Sequence, residues 1–530
     1  MNARVVLVSL ALLVAFPAGS QATGGDGDAR VFASVFRVYK GSDDGSPGTL
    51  RWAILQANQS PGFDKILIEP RGHRPLVIKP DALLPVIQGP LVIEGDRDWL
   101  GERGRKGHRD RAPDVVIDGS NFIDTSTVQS CPGENPAQSG PNVRTVQKPG
   151  LAIVDTADVE VSGLEVRNFC IGILVWRSRN NFIHHNRLFN NIGGAGVMFT
   201  GDNGAGGVTS GLTVNNVAAH NEFVDNGDGL ELTRGSDQNL VSDNAFTMTP
   251  NGLTPSQGIE TINSSENRIV RNRFANFSDG IQMNGGNRNT IARNEFTGNS
   301  NGITLSGDGH LVERNVVHGN RLGIGPSAGN HRLTENSIFD NGQDILLCNA
   351  GGTGGVSPAC NPSYPRLGID LGRDGVTPND LAASCADGFP DCDTGPNGRQ
   401  NFPVLGVPVS SDSGLLVLKG SLASRPNQVY AIELFANRSP GPVDGAGEGE
   451  LFVGGVRVAT DAAGNAVFSL PLDPAGVVDQ LSERVPGGER RHRDRVEVYF
   501  TATATDAATG GTSEFSQALL VPLIDGKKRP

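Results

Sequence analysis

From about residue 150 to residue 345 the chain repeats the phrase Asn-x-apolar-x-x-Asn-x-apolar, which restricts the fold more than any other feature. It runs as Asn181-Phe182-Ile183-His184-His185-Asn186-Arg187-Leu188 and returns at 239–246, 267–274 and 289–296. The last copies, 310–317 and 331–338, carry histidine in place of the first asparagine. The second asparagine recurs as Asn186, Asn221, Asn244, Asn272, Asn294, Asn315 and Asn336, the last three steps being 22, 21 and 21 residues. Longer steps near Asn221 and Asn272 predict loop insertions. A second phrase is a glycine followed by alternating apolar residues: Gly172-Ile173-Leu174-Val175, Gly229-Leu230-Glu231-Leu232, Gly280-Ile281-Gln282-Met283 and Gly302-Ile303-Thr304-Leu305. Within each phrase the period is two, that of a strand with one buried face. Several short strands inside a period of some twenty residues imply a solenoid of stacked coils. The spacing of leucine-rich repeats and the 3.6-residue period of helical repeats are both absent.

Such a stack gives the asparagines a physical task. Turned inward at a corner, each can hydrogen-bond its own turn and the coil above, satisfying backbone groups that the corner buries. The glycines are expected to permit a sharp bend into each strand.

These repeats resemble the right-handed parallel β-helices of the pectate-lyase-like superfamily, in the form found in exported bacterial proteins. Residues 44–58 resemble the capping helix that opens this class, with Leu50, Ala53, Ile54 and Ala57 on one face. Segments 65–68, 75–78, 90–93 and 115–119 read as the first, less regular coils. The resemblance covers roughly residues 30–350 and implies an all-β fold. It does not single out an activity, because this fold carries lyases, hydrolases, epimerases and adhesins.

The ends add an organisation. Arg4, an apolar run over 5–16 and the small residues Ser20 and Ala22 predict an export signal cleaved after Ala22, hence a secreted or cell-surface protein. No segment is apolar enough for a membrane span. After Asn349 the composition shifts to Gly, Pro, Asp and Asn, predicting a connector over 351–402. Between 403 and 524, strands expected at 414–420, 428–436, 451–459, 465–470, 495–505 and 516–522 predict an antiparallel β-sandwich. It resembles immunoglobulin- or fibronectin-like modules and would cover the open end of the stack or bind a surface glycan. Six cysteines suit an oxidising compartment. Closeness in sequence suggests Cys348 with Cys360 and Cys385 with Cys392, leaving Cys131 and Cys170, without fixing the connectivity. In the connector, Asp391, Asp393 and Asn397 offer oxygens around a tight turn, a set that calcium (Ca2+) favours.

Chemistry is expected on the strand face that follows the glycines. Its outward column reads Leu174, Met198, Glu231, Glu260, Gln282 and Thr304, with Asp228 and Asp279 just before their glycines. Asp228, Glu231, Glu260 and Asp279 are thus expected to crowd one face as the catalytic groups, since closely spaced carboxylates suit acid–base work. Insertions at 201–211 and 250–257 would wall this face. A second column, His185, His220, Asp243, Arg271, Arg293, Arg314 and Glu335, precedes the marker asparagines. Its histidines and arginines, His185, His220, Arg271, Arg293 and Arg314, are the candidate binders of an anionic polymer.

The net charge of −12 argues against a nucleic-acid partner. The expected function is a carbohydrate-active protein, a glycoside hydrolase or polysaccharide lyase acting on an extracellular polysaccharide or cell-surface glycan. The Asp-rich motif of polygalacturonases and the lysine or tyrosine of the usual lyase arrangement are absent, which leaves a non-enzymatic adhesin as the alternative.

Overall fold

In a computed structural model, the described residues are 30–524 apart from 71–74, 97–111, 124–147, 193, 205–206, 250–255, 346, 348–365, 443–445 and 484–494. The expected export signal and Cys131, Cys348 and Cys360 lie outside them.

The repeats form a parallel β-helix of three sheets. Sheet A has 11 strands, from Val35–Val38 to Arg332–Thr334; sheet B has 10, from Leu76–Ile78 to Ser337–Phe339; sheet C has 8, from Pro149–Val154 to Leu322–Pro326. Every pairing within these sheets is parallel and in register, so Ile183, Ala218, Val241, Ile269 and Ile291 form one continuous inward column. The helix α1 (Leu50–Gln59) lids the first coil with Leu50, Ala53, Ile54 and Ala57 buried. Thr49 Oγ1 caps it by accepting from the Trp52 N–H.

The corners are held by asparagine. Asn221 Oδ1 accepts from the backbone N–H of Asn186 at 3.0 Å, Asn244 does the same for Asn221, and the pattern continues to Asn336. A second ladder runs from Asn181 to Asn289 and passes to His310, whose Nδ1 accepts from the Asn289 N–H at 3.2 Å. At His310 imidazole therefore performs the asparagine's task, whereas His331 in the next coil reaches the Ala328 carbonyl through Nε2 and leaves Nδ1 unpaired among the described residues.

The glycines before the sheet C strands have another cause than a bend. Gly229, Gly258, Gly280 and Gly302 are not among the positive-φ residues. A Cβ on Gly258 would sit 2.5 Å from the Gly280 carbonyl oxygen and 2.6 Å from Phe274 Cδ1. On sheet B, Phe223, Phe246, Phe274 and Phe296 stack with ring centroids 4.4–4.8 Å apart, and this column fills the space against the glycines.

The C-terminal region forms two antiparallel sheets, of three and four strands, around one core that includes Leu418, Tyr430, Phe468 and Phe500. Two elements go beyond the sequence expectation. Val404–Ser410 is an edge strand whose alternation is broken by Pro408, and α2 (Pro474–Glu483) packs Val477, Val478 and Leu481 inward. The module closes the stack: Phe435 and Phe515 join the same buried cluster as Ile338 and Ile369. Glu448 Oε1 ends a third asparagine ladder, accepting from the Asn341 N–H at 3.1 Å and from its Nδ2 at 2.9 Å. At the corner of the last coil, Asn397 Oδ1 accepts from the His331 N–H at 2.6 Å.

Candidate active site

Sheet C carries the outward column in the predicted order: Leu174, Met198, Glu231, Glu260, Gln282 and Thr304 are successive register partners. One oxygen each of Asp228, Glu231 and Glu260 lies within 4.8 Å of the others. Asp228 and Glu231 are buried and Glu260 is half-buried. Three carboxylates this close repel unless a proton or a divalent cation sits among them. Asn284 Nδ2 donates to Glu260 Oε1 at 2.8 Å, and the Gln257 N–H to Asp228 Oδ1 at 3.0 Å. Gln257 Nε2 donates in turn to Gln282 Oε1 at 2.9 Å, so a polar strip continues down the sheet. Above the carboxylates the same face is apolar, with Ile171, Leu174, Ala195 and Met198 buried together and Trp176 packed against them. A cluster of acids beside an apolar floor suits acid–base chemistry on a small, partly apolar substrate.

Asp279 is not part of this cluster. It lies one coil beyond Gln257, fully buried, with Oδ1 accepting from Asn301 Nδ2 at 2.8 Å and Thr304 Oγ1 at 3.1 Å. Burial pushes its carboxyl above the usual range. Gln257, Asn284 and Asn301 escaped the sequence reading because amides are everywhere in these repeats. Only register separates the outward ones from the ladders.

The His185–Glu335 column occupies the corner between sheets A and B, away from sheet C. All seven residues have φ between +50° and +58°, the left-handed turn that this corner requires. Arg271 pairs with Asp243 at 2.7 Å and Arg314 with Glu335 at 2.8 Å. His185 stacks on His220 at 4.9 Å, and desolvation followed by the neighbouring imidazoles pulls its pKa down to about 4. Asp243, Arg271, Arg314 and Glu335 thus complete an internally paired corner, while His185, His220 and Arg293 follow its register.

The connector residues already have hydrogen-bond partners within the chain. Asp391 accepts from the Asn401 N–H at 3.1 Å and from Gln400 Nε2 and Ser424 Oγ, and burial raises it to about 6. Asn397 is spent on the His331 corner and donates to the Thr512 carbonyl at 2.7 Å. Asp393 faces Asp380, whose proximity adds to burial in raising it to about 6. Cys385 and Cys392 form the expected disulfide; Cys170 is also disulfide-bonded. Among the described residues no helix is long and apolar enough to cross a membrane.

The fold and site define a right-handed parallel β-helix protein with an acidic cluster on one sheet. A family model described as "Periplasmic copper-binding protein (NosD)" matches residues 92–276 and 247–353. The chain is 44% identical over 472 residues to the 3-dehydroshikimate dehydratase of Acinetobacter baylyi, covering 85% of this chain and 93% of that protein. It belongs to the same family as that protein. Among solved structures it is similar to an alginate lyase from Paenibacillus sp. (TM-score 0.39, 11% identity, 57% of this chain and 95% of the other). It is also similar to XylC in complex with xylose (TM-score 0.35, 11% identity, 61% and 73%). Copper favours imidazole, thiolate and thioether donors. Among the described residues, the two sets of three or more His, Cys, Asp or Glu ligand atoms that converge are the carboxylates above and Asp380 with the disulfide-bonded Cys385 and Cys392. Neither donor set fits copper.

Proposed function

We propose that this chain is an exported dehydratase that eliminates water from a small cyclic hydroxy-keto carboxylate, with 3-dehydroshikimate as the substrate. The observation that carries the reading is the 44% identity to a dehydratase of that name over 93% of its length. The sheet C cluster supplies suitable chemistry. In 3-dehydroshikimate a C–H bond next to the ketone stands beside a carbon bearing hydroxyl. A base takes that proton, the electron pair forms the C=C bond, and hydroxide leaves with a proton from an acid. Loss of a second ring proton and its return to the ketone oxygen give 3,4-dihydroxybenzoate and one water.

Glu260 is the base in this reading, half-buried and oriented by Asn284. Glu231, buried at 4% exposure beside Met198, carries the proton that leaves with the hydroxyl, and Asp228 completes the proton-sharing group. The polar groups of the strip hold the ring over these two carboxylates, and the apolar floor keeps bulk water from quenching the carbanion.

The test is turnover of 3-dehydroshikimate by the purified chain, followed by the ultraviolet absorbance of the aromatic acid. The same preparation is offered alginate and pectate. Appearance of the aromatic acid is expected. Release of unsaturated uronates without it would replace this substrate by a polysaccharide, and silence in both channels with retained glycan binding would favour an adhesin.

A further inference from the structure

Glu260 and Gln282 are register partners in adjacent coils of sheet C, and their side chains differ only in the terminal group. One nitrogen touches both tips: Asn284 Nδ2 donates to Glu260 Oε1 at 2.8 Å and to Gln282 Oε1 at 3.3 Å. A carboxylate only accepts, so this contact fixes which end of Asn284 faces the pair, and with it the orientation of the Gln282 amide. Gln257 Nε2 donates to the same Gln282 Oε1 at 2.9 Å, while Gln257 Oε1 accepts from Ser256 Oγ. The Gln282 oxygen is thus held from two sides. Its Nε2 meets no acceptor among the described residues. Thr304, next in the column, spends its hydroxyl on Asp279 Oδ1 at 3.1 Å. Glu260 and Gln282 are both half-buried, so the amide keeps its protons to offer beside Glu260 at a surface that a ligand can reach. Asn284 cannot do the same, because its Nδ2 protons are spent on Glu260 and Gln282.

We propose that Gln282 Nε2 donates to the ketone oxygen of the substrate and stabilises the enolate that forms when Glu260 takes the neighbouring proton. This rests on the dehydratase reading and adds to it the group that holds the developing charge. Glu260 removes the proton from the carbon between the ketone and the departing hydroxyl. The C–H electron pair becomes a C=C bond to the carbonyl carbon, and the π pair of the ketone moves onto oxygen. The enolate then returns that pair, the C=C bond shifts toward the carbon that carried hydroxyl, and hydroxide leaves with the proton of Glu231. The carbon that loses the proton and the oxygen that gains the charge are joined through the carbonyl carbon. Side chains of equal length one coil apart, about 4.8 Å, can meet both from the same side. A donor oriented before the substrate arrives costs no reorganisation as the charge develops. Gln282 is neutral and holds the oxygen, while Glu260 carries the proton.

The experiment compares wild type with Gln282→Glu and Gln282→Met, each first shown to melt like wild type. Gln282→Glu keeps an oxygen for Gln257 and Asn284 and replaces only the unpaired amide nitrogen, and Gln282→Met removes the donor without adding charge. The readouts are kcat and KM for 3-dehydroshikimate, and the primary deuterium isotope effect on kcat with the proton of the carbon next to the ketone replaced by deuterium. Both variants should lose roughly 100- to 1,000-fold in kcat with KM little changed, as for a lost oxyanion donor. Their isotope effect should be at least as large as that of wild type, because proton abstraction is the step made slower. An unchanged kcat, or a loss carried by KM alone, would overturn the assignment, and turnover by wild type would leave the dehydratase reading standing. A lower kcat with a smaller isotope effect would place the lost step outside proton abstraction and overturn the assignment as well. Absence of turnover by wild type would overturn both.

Discussion

Replacing Asn272 by alanine tests whether the asparagine ladders hold the stack together. Asn272 is 1% exposed. Its Oδ1 accepts from the Asn244 N–H at 3.0 Å and from Asn244 Nδ2 at 2.9 Å. Its Nδ2 donates to the carbonyls of Val241 at 2.9 Å and Val270 at 3.2 Å and to Asn294 Oδ1 at 3.0 Å. Alanine removes all of these and leaves the Asn244 amide and the Val241 carbonyl in a corner closed to water. At about 1 kcal/mol net per bond, discounted because two amide protons are shared among three acceptors, the loss should be about 3–5 kcal/mol. Whole domains are stable by only about 5–15 kcal/mol, so the effect is large. Asn272→His should lose less, since His310 already keeps one acceptor and one donor at such a corner. Urea unfolding gives the magnitude, and native-state hydrogen exchange should locate it in the coils of Asn244 and Asn272. A loss below about 1 kcal/mol for Asn272→Ala would mean that the corner groups find other partners, and the ladder argument would fail.

Three further outcomes follow from the same geometry. Burial, the largest cause, raises Glu448 to about 7 and Glu514 to about 8, above their ordinary value in the unfolded chain. Their contribution is therefore full below about pH 4.5 and lost as pH rises to the folded values. Thermal melting should show Glu448→Gln gaining up to about 3 kcal/mol over wild type at pH 8 and nothing at pH 4, because glutamine can still accept from Asn341; a pH-independent difference would contradict this. Gly258→Ala should destabilise by at least about 1–3 kcal/mol through overpacking, whereas Gly406→Ala, whose Cβ would meet nothing nearer than 3.8 Å, should be close to neutral in the same urea assay. Glu260→Gln should lower kcat for 3-dehydroshikimate by about 10²–10⁴-fold without unfolding the chain, and an unchanged kcat would remove Glu260 from the chemistry.

Much of the fold was legible because a solenoid writes its geometry into the repeat. The 21- to 22-residue step, the alternation after each glycine and the four-residue apolar face of α1 each reappear as register, strand and cap. The site was legible where it depended on that register, which brings Glu231 beside Glu260. Hydrogen-bond partners set by corners and connectors were not legible. Asp279 reads like Asp228 in sequence, yet Asn301 and Thr304 turn it into a buried acceptor. Of the connector oxygens with metal-like spacing, those of Asp391 accept from Asn401, Gln400 and Ser424, and Asn397 Oδ1 accepts from the His331 N–H, partners that lie far apart in sequence and that spacing alone does not show. In the sequence the glycine column reads as a row of bends, because its packing partner, the phenylalanine column, belongs to a different sheet.

The most direct test of the central claim is a mass balance on 3-dehydroshikimate incubated with wild type and with the double variant Glu231→Gln, Glu260→Gln. Wild type should convert the substrate to 3,4-dihydroxybenzoate with loss of the mass of one water, and the folded double variant should leave it intact. Intact substrate with wild type, or equal conversion by both proteins, would contradict the assignment of dehydration to the carboxylates of sheet C.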